Sequence, residues 1–149
     1  MAVDPSIITE NDIRLFMIDK TSDDNYLLND VEFTPEEIAQ AHILIVAKYN
    51  STLPLMSEVT EIPRYEAIIG TAAILMRMKA INFVRNRLDY QNRNGTAVQD
   101  KNKAPEYLAI ARDMMVEFER RVKALKTHQN IEACYGHVSS PYRYVGYRW

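Results

Sequence analysis

The chain of 149 residues is poor in the residue types on which most small-protein chemistry rests. It has one cysteine, Cys134, which excludes an internal disulfide and fits a reducing compartment. Three dispersed histidines beside that single cysteine do not make a structural zinc site. Glycine occurs only at positions 70, 95, 136 and 146, so no glycine-rich phosphate loop is present. There is no His-Glu-x-x-His pattern and no serine on a nucleophile elbow. Asp23-Asp24 lacks the further carboxylates of a calcium loop, and Glu117 and Glu119 point to different helix faces. Cys134 and His137 lie close together but have no third group to orient them, a weak signal for nucleophilic catalysis. Nor is there an apolar run long enough to cross a bilayer, or a basic-then-apolar leader at the start. These absences point away from an enzyme and from a cofactor, a metal or a membrane partner.

What is present is a globular composition, 47% hydrophobic and 26% charged, with enough chain for one domain and a real core. The formal net charge of −2 is unevenly spread. Residues 1–37 hold ten acidic and two basic side chains, and the remainder ten acidic and sixteen basic. Two readings are open: acids gathered at helix starts, or acidic and basic surfaces of neighbouring copies that meet.

The chain is organised around an apolar run from Arg64 to Leu88, answered by a second from Glu106 to Lys126. In the first, Ile68, Ala72, Leu75, Met76 and Phe83 share one helical face, while Ile74, Met78, Ile81 and Val84 cover much of the rest. A helix apolar on several sides is buried on several sides. Gly70, Ala72 and Ala73 are small enough to let another backbone come close. Beyond Arg77 the run turns basic, and Arg77, Arg85 and Arg87 do not share one face. They suit a helix C-terminus, or a surface facing DNA or an acidic neighbour. Asn92-Arg93-Asn94-Gly95 is a turn signal, with room for a small excursion at Thr96-Ala97-Val98. The second helix opens at Ala104-Pro105 and places Tyr107, Ala111, Met114, Phe118, Val122 and Leu125 on a narrow face. Leu108 and Met115 flank that face, and the others, with Arg112, Asp113 and Arg120, read as wet surface. The two runs predict an antiparallel helix hairpin.

Upstream, Thr9-Glu10-Asn11-Asp12 caps a short helix in which Ile13, Phe16 and Met17 share a face. Thr34-Pro35-Glu36-Glu37 is the clearest start signal, a capping box with proline at the first helical position. Its helix runs to about Asn50 with Ile38, Ala41, Ile45 and Tyr49 inward, and Ser51 to Pro63 is a loop. His42 on that helix reads as a structural histidine. The expected fold is all-α: a helical domain over 1–127 and an extended arm over 128–149. That arm, where helical periodicity fades, carries Tyr135, Tyr142, Arg143, Tyr144, Tyr147, Arg148 and Trp149. Tyr, Trp and Arg dominate binding hot spots, so these are the candidate partner-binding residues. Stacking on single-stranded nucleic acid would use the same side chains, but overall acidity argues against it.

This layout, the Thr34-capped helix, the pair at 64–93 and 106–126 and the aromatic tail, resembles the head–tail connector (adaptor or neck) proteins of tailed bacteriophages. The resemblance implies a structural virion protein, assembled in the host cytoplasm, that forms a ring, commonly dodecameric, beneath the capsid portal. It implies the portal protein and the next neck or tail protein as partners of the arm. It also implies a DNA channel or a neighbouring acidic N-terminus as the counterpart of Arg77, Arg85 and Arg87. The acidic first third has no counterpart in that resemblance. The alternative is a cellular helical adaptor or regulator acting as a dimer through residues 64–126.

Overall fold

The computed structural model describes residues 8–19, 31–85, 89–91, 97–99 and 103–135. Four helices carry the fold: α1 (Glu10–Met17), α2 (Pro35–Ser51), α3 (Arg64–Arg85) and α4 (Ala104–Tyr135). Both predicted starts are built as the sequence implies. Thr9 donates its backbone N–H and its hydroxyl to Asp12, each at 2.9 Å. At α2, Glu37 N–H donates to the Thr34 hydroxyl at 3.2 Å, and Thr34 N–H donates to the Glu37 carboxylate at 2.9 Å.

α3 and α4 form the spine. Glu66 faces Arg121 and Phe83 meets the Tyr107 ring edge-on at 5.2 Å, so the two helices run antiparallel. Between these ends Gly70 sits where three helices converge. A Cβ placed on it would lie 2.2 Å from Ile45 Cγ1 and 3.0 Å from Phe118 Cδ2. The missing side chain is what lets α2 and α4 approach α3.

The core falls into two clusters. Ile45, Tyr49, Ile62, Ala67, Ile69, Phe118 and Val122 join α2, α3 and α4. Ile13, Phe33, Ile38, Ala41 and Leu75 join α1, α2 and α3. The inward set expected for α2 is therefore fully buried. On α3 the expectation holds for the first two-thirds only: Ala72 and Leu75 are buried, whereas Ile81 and Val84 near its end are exposed. By length and composition α3 could cross a membrane, which corrects the expectation that no run is long enough. Within the bundle its apolarity has a local use, since it touches all three other helices.

Two boundaries differ from the sequence reading. α3 ends at Arg85, and Asp89–Gln91 and Ala97–Gln99 pair as antiparallel strands, Tyr90 opposite Val98. The small excursion is thus a β-ladder on both sides of the turn, and part of the expected helix goes into it. More consequentially, α4 does not stop near residue 127 but continues to Tyr135. No glycine or proline interrupts it before Gly136. His128 and Glu132 pair at 3.3 Å across one turn, and the Thr127 hydroxyl donates back to Lys123 O at 2.7 Å. Faded apolar periodicity here marks a solvated helix, because a helix needs an apolar stripe only where it packs.

Two buried charged groups tie the bundle together. Arg14 bonds Asp19 at 2.6 Å, donates to Phe33 O at 2.8 Å and pairs with Glu10 at 2.7 Å. Asp19 in turn accepts Glu32 N–H at 2.8 Å, so the end of α1 is locked to the entry of α2. At the opposite end Lys126 of α4 donates to Tyr49 O at 2.6 Å and Thr52 O at 2.8 Å. It caps the carbonyl end of α2, where a cation is favoured. Burial lowers the Lys126 pKa, yet the ring of Tyr49 at 4.6 Å and the carbonyls favour its charged form.

Candidate functional surface

The candidate partner-binding residues divide sharply. Tyr135 is the last residue of α4. Tyr142, Arg143, Tyr144, Tyr147, Arg148 and Trp149 lie outside the described residues, as do Arg87 and His137. What the structure gives is their mounting. A helix of 32 residues spans about 48 Å, against about 33 Å for the 22 residues of α3. α4 therefore overruns its partner, and every described side chain from Thr127 to Cys134 is exposed except half-buried Asn130. The aromatic segment follows directly on this projecting helix. Cys134 is exposed there too.

Arg77 and Arg85 are both exposed on α3 and make no ion pair among the described residues. Their surroundings differ. Arg85 is at the helix end, whereas Arg77 stands at the rim of a trough between α3 and α4. The floor of that trough is Ala73, Ala111 and Met115, its far wall Leu108 and Val116, and its volume about 340 Å³. Arg112 stands across it from Arg77, also exposed and unpaired among the described residues.

The trough follows from the path of α2. The second half of α2 lies over α3 and α4, where Lys48 pairs with Glu119 at 2.8 Å. Its first half swings across to α1, with Ile38 and Ala41 in the other cluster. On α4, Val116, Met115, Arg112 and Leu108 precede Glu119 by roughly one, one, two and three turns, so they continue the face that α2 covers. Past Lys48 that face is bare. Helical periodicity alone puts Arg112 on ordinary wet surface and leaves Val116 off the core stripe. The only available signal was an aliphatic residue off the core stripe.

On the other flank of α2 lies a smaller cavity of about 210 Å³, lined by Ile8, Ile13, Ile38, Ala39 and His42 among others. His42 Nδ1 is buried there and has no hydrogen-bond partner among the described residues. Burial holds the imidazole pKa below its usual range, which keeps the ring neutral. The expectation of a satisfied structural histidine is met in its placement against aliphatic side chains but not in its hydrogen bonding. At the end of α1, Ile18 takes a left-handed conformation, φ 57° and ψ 30°, with its side chain in water. Among the described residues, no group of three or more His, Cys, Asp or Glu side chains converges as metal ligands do.

No protein family, curated protein or solved structure matches the chain.

Proposed function

We propose that this protein is a structural, non-enzymatic component of a tailed-phage virion, a ring-forming adaptor in the neck that joins the capsid portal to the tail. One observation carries the reading: a helix whose last two turns or so are solvated, followed in the sequence by a segment dense in Tyr, Arg and Trp. Tyr, Arg and Trp are the side chains that dominate binding hot spots, and here they follow a solvated helix end in the sequence. In this reading Tyr135 sits at the base of an extended arm, and Tyr142, Arg143, Tyr144, Tyr147, Arg148 and Trp149 dock on the portal or on the next protein of the neck. Copies of a modest arm around a ring multiply affinity without a strong single contact. Arg77, on the trough rim, faces a neighbouring subunit, while Arg85 and Arg87 face the DNA channel or that neighbour.

The test is removal of residues 136–149. The truncated protein keeps its helical content and melting temperature, because the described core lies entirely before Gly136, but no longer binds portal or tail components in a pull-down. Normal docking by the truncated chain would sink the proposal. A compact dimer indifferent to such components would favour the cellular adaptor instead, with the trough within 64–126 as its contact.

A further inference from the structure

The loop between α2 and α3, residues 52–63, holds aliphatic side chains out in water. Leu53 is 67% and Leu55 68% exposed, and Val59 lines a cleft of about 340 Å³ together with Ile62, Pro63 and, from α4, Gln129. The loop is pinned at two points. Lys126 donates to Thr52 O at 2.8 Å, and the Asn50 side chain brackets Val59, donating to its carbonyl at 3.0 Å and accepting its N–H at 3.1 Å. Exposed aliphatic groups on a fixed loop beside a preformed cleft mark a contact surface.

Two features say what covers it. The first is where the described chain ends. Gln129, on the cleft wall, is six residues before Tyr135, about 9 Å along α4. The 14 residues beyond Tyr135 reach about 46 Å when extended, more than enough to return to the cleft. On the face of α4 that carries Lys126 and Gln129, the next turns hold Asn130 and Ala133, short and uncharged, so the way back is clear.

The second feature is charge. Residues 52–63 carry Glu58 and Glu61 and no basic side chain. Both carboxylates are exposed, neither is paired among the described residues, and Glu61 lines the cleft itself. Residues 136–149 carry Arg143 and Arg148 and no acidic side chain, and they supply the rings that an apolar cleft takes.

We propose that residues 136–149 turn back on their own subunit and seat on the 52–63 loop. Their rings, Trp149 included, lie against Leu53, Leu55 and the cleft at Val59, and Arg143 and Arg148 meet Glu58 and Glu61. Tethering makes the contact intramolecular, so it holds the arm without strong bonds and yields it to a partner that binds the arm more tightly. The proposal goes beyond the adaptor reading and does not depend on it.

Trp149 is the only tryptophan, so its fluorescence reports the contact in the full-length chain. In the wild type its emission should be blue-shifted and shielded from acrylamide relative to the urea-unfolded chain, equally at every dilution. Glu58→Lys with Glu61→Lys should abolish the shielding, as should Leu53→Ser with Leu55→Ser; circular dichroism checks that both variants remain folded. Adding Arg143→Glu and Arg148→Glu to the first pair should restore it, since the charges are then exchanged. A wild type as quenchable as the unfolded chain overturns the contact, as does shielding that survives either loop variant. A combined variant that stays open overturns it as well. Shielding lost on dilution puts the arm on another copy and also overturns it. None of these outcomes bears on the adaptor reading, which the arm-deletion pull-down decides separately.

Discussion

Replacing Gly70 by alanine should destabilise this protein, although the same change in most helices does the opposite. In an exposed helix interior, Gly→Ala gains about 1 kcal/mol from backbone entropy. Here the added methyl would sit 2.2 Å from Ile45 Cγ1 and 2.6 Å from Ile45 Cδ1, far inside van der Waals contact. Ile45 is fully buried and is stiff at χ1, so it cannot swing aside without displacing the cluster that includes Phe118. Overpacking of this kind costs about 1–3 kcal/mol, and two sub-3 Å contacts place it at the upper end. Subtracting the gain leaves a net loss of about 1–2 kcal/mol, or roughly 2–8 °C in Tm for a chain of this size. Urea denaturation followed by circular dichroism measures it, with the m-value held as a check that the unfolded state has not changed. The cause is testable through Ile45→Ala, which alone should cost about 2–5 kcal/mol but distinctly less in the Gly70→Ala background, because the space it opens is the space the methyl needs. A stabilised Gly70→Ala variant would refute the claim that α2, α3 and α4 converge on this glycine.

Further perturbations probe the buried polar groups. Lys126→Met keeps the alkyl stem and removes the donors to Tyr49 O and Thr52 O; we expect a loss of about 2 kcal/mol in thermal or urea unfolding, since charge-assisted bonds outweigh the cost of burying this ammonium. Asp19→Asn removes the buried counter-ion of Arg14, leaving only Glu10, and should cost about 3 kcal/mol by the same assay, more than Glu10→Gln at the half-exposed partner. His42 sets a pH dependence. Its folded pKa lies below the ordinary value of about 6.5, so between the two the unfolded chain binds a proton that the folded chain refuses. Stability is therefore complete above about pH 6.5 and falls as pH drops toward the depressed value. Urea midpoints across pH 5–7.5 should show that slope in the wild type and lose it in His42→Gln.

Much of this architecture is readable from local pattern. Thr34-Pro35-Glu36-Glu37 forms its capping box whatever lies around it, because donor and acceptor are three residues apart. Ile38, Ala41, Ile45 and Tyr49 are inward because that spacing is the helical repeat. Gly70 and its small neighbours announce a close approach, though not by which helix. The sequence is equally plain about the burial of the first two-thirds of α3, at Ala72 and Leu75, though not about the exposure of Ile81 and Val84 beyond.

The tertiary structure decided matters that depend on distance through space. Arg14 and Lys126 look like ordinary surface cations in the sequence. They are buried because Asp19 and the carbonyl end of α2 come to meet them, from positions that periodicity cannot relate. The continuation of α4 to Tyr135 was missed because apolar repetition reports packing, and a solvated helix held by side-chain and backbone pairs has none to show. The trough is the clearest case. Arg77 and Arg112 are thirty-odd positions apart, and each lies on a helix whose own pattern is complete. They face one another only because α3 and α4 run antiparallel and α2 crosses to α1 before it can cover them. A bare surface is a relation among three helices, set by where the third one goes, and no stretch of sequence contains it.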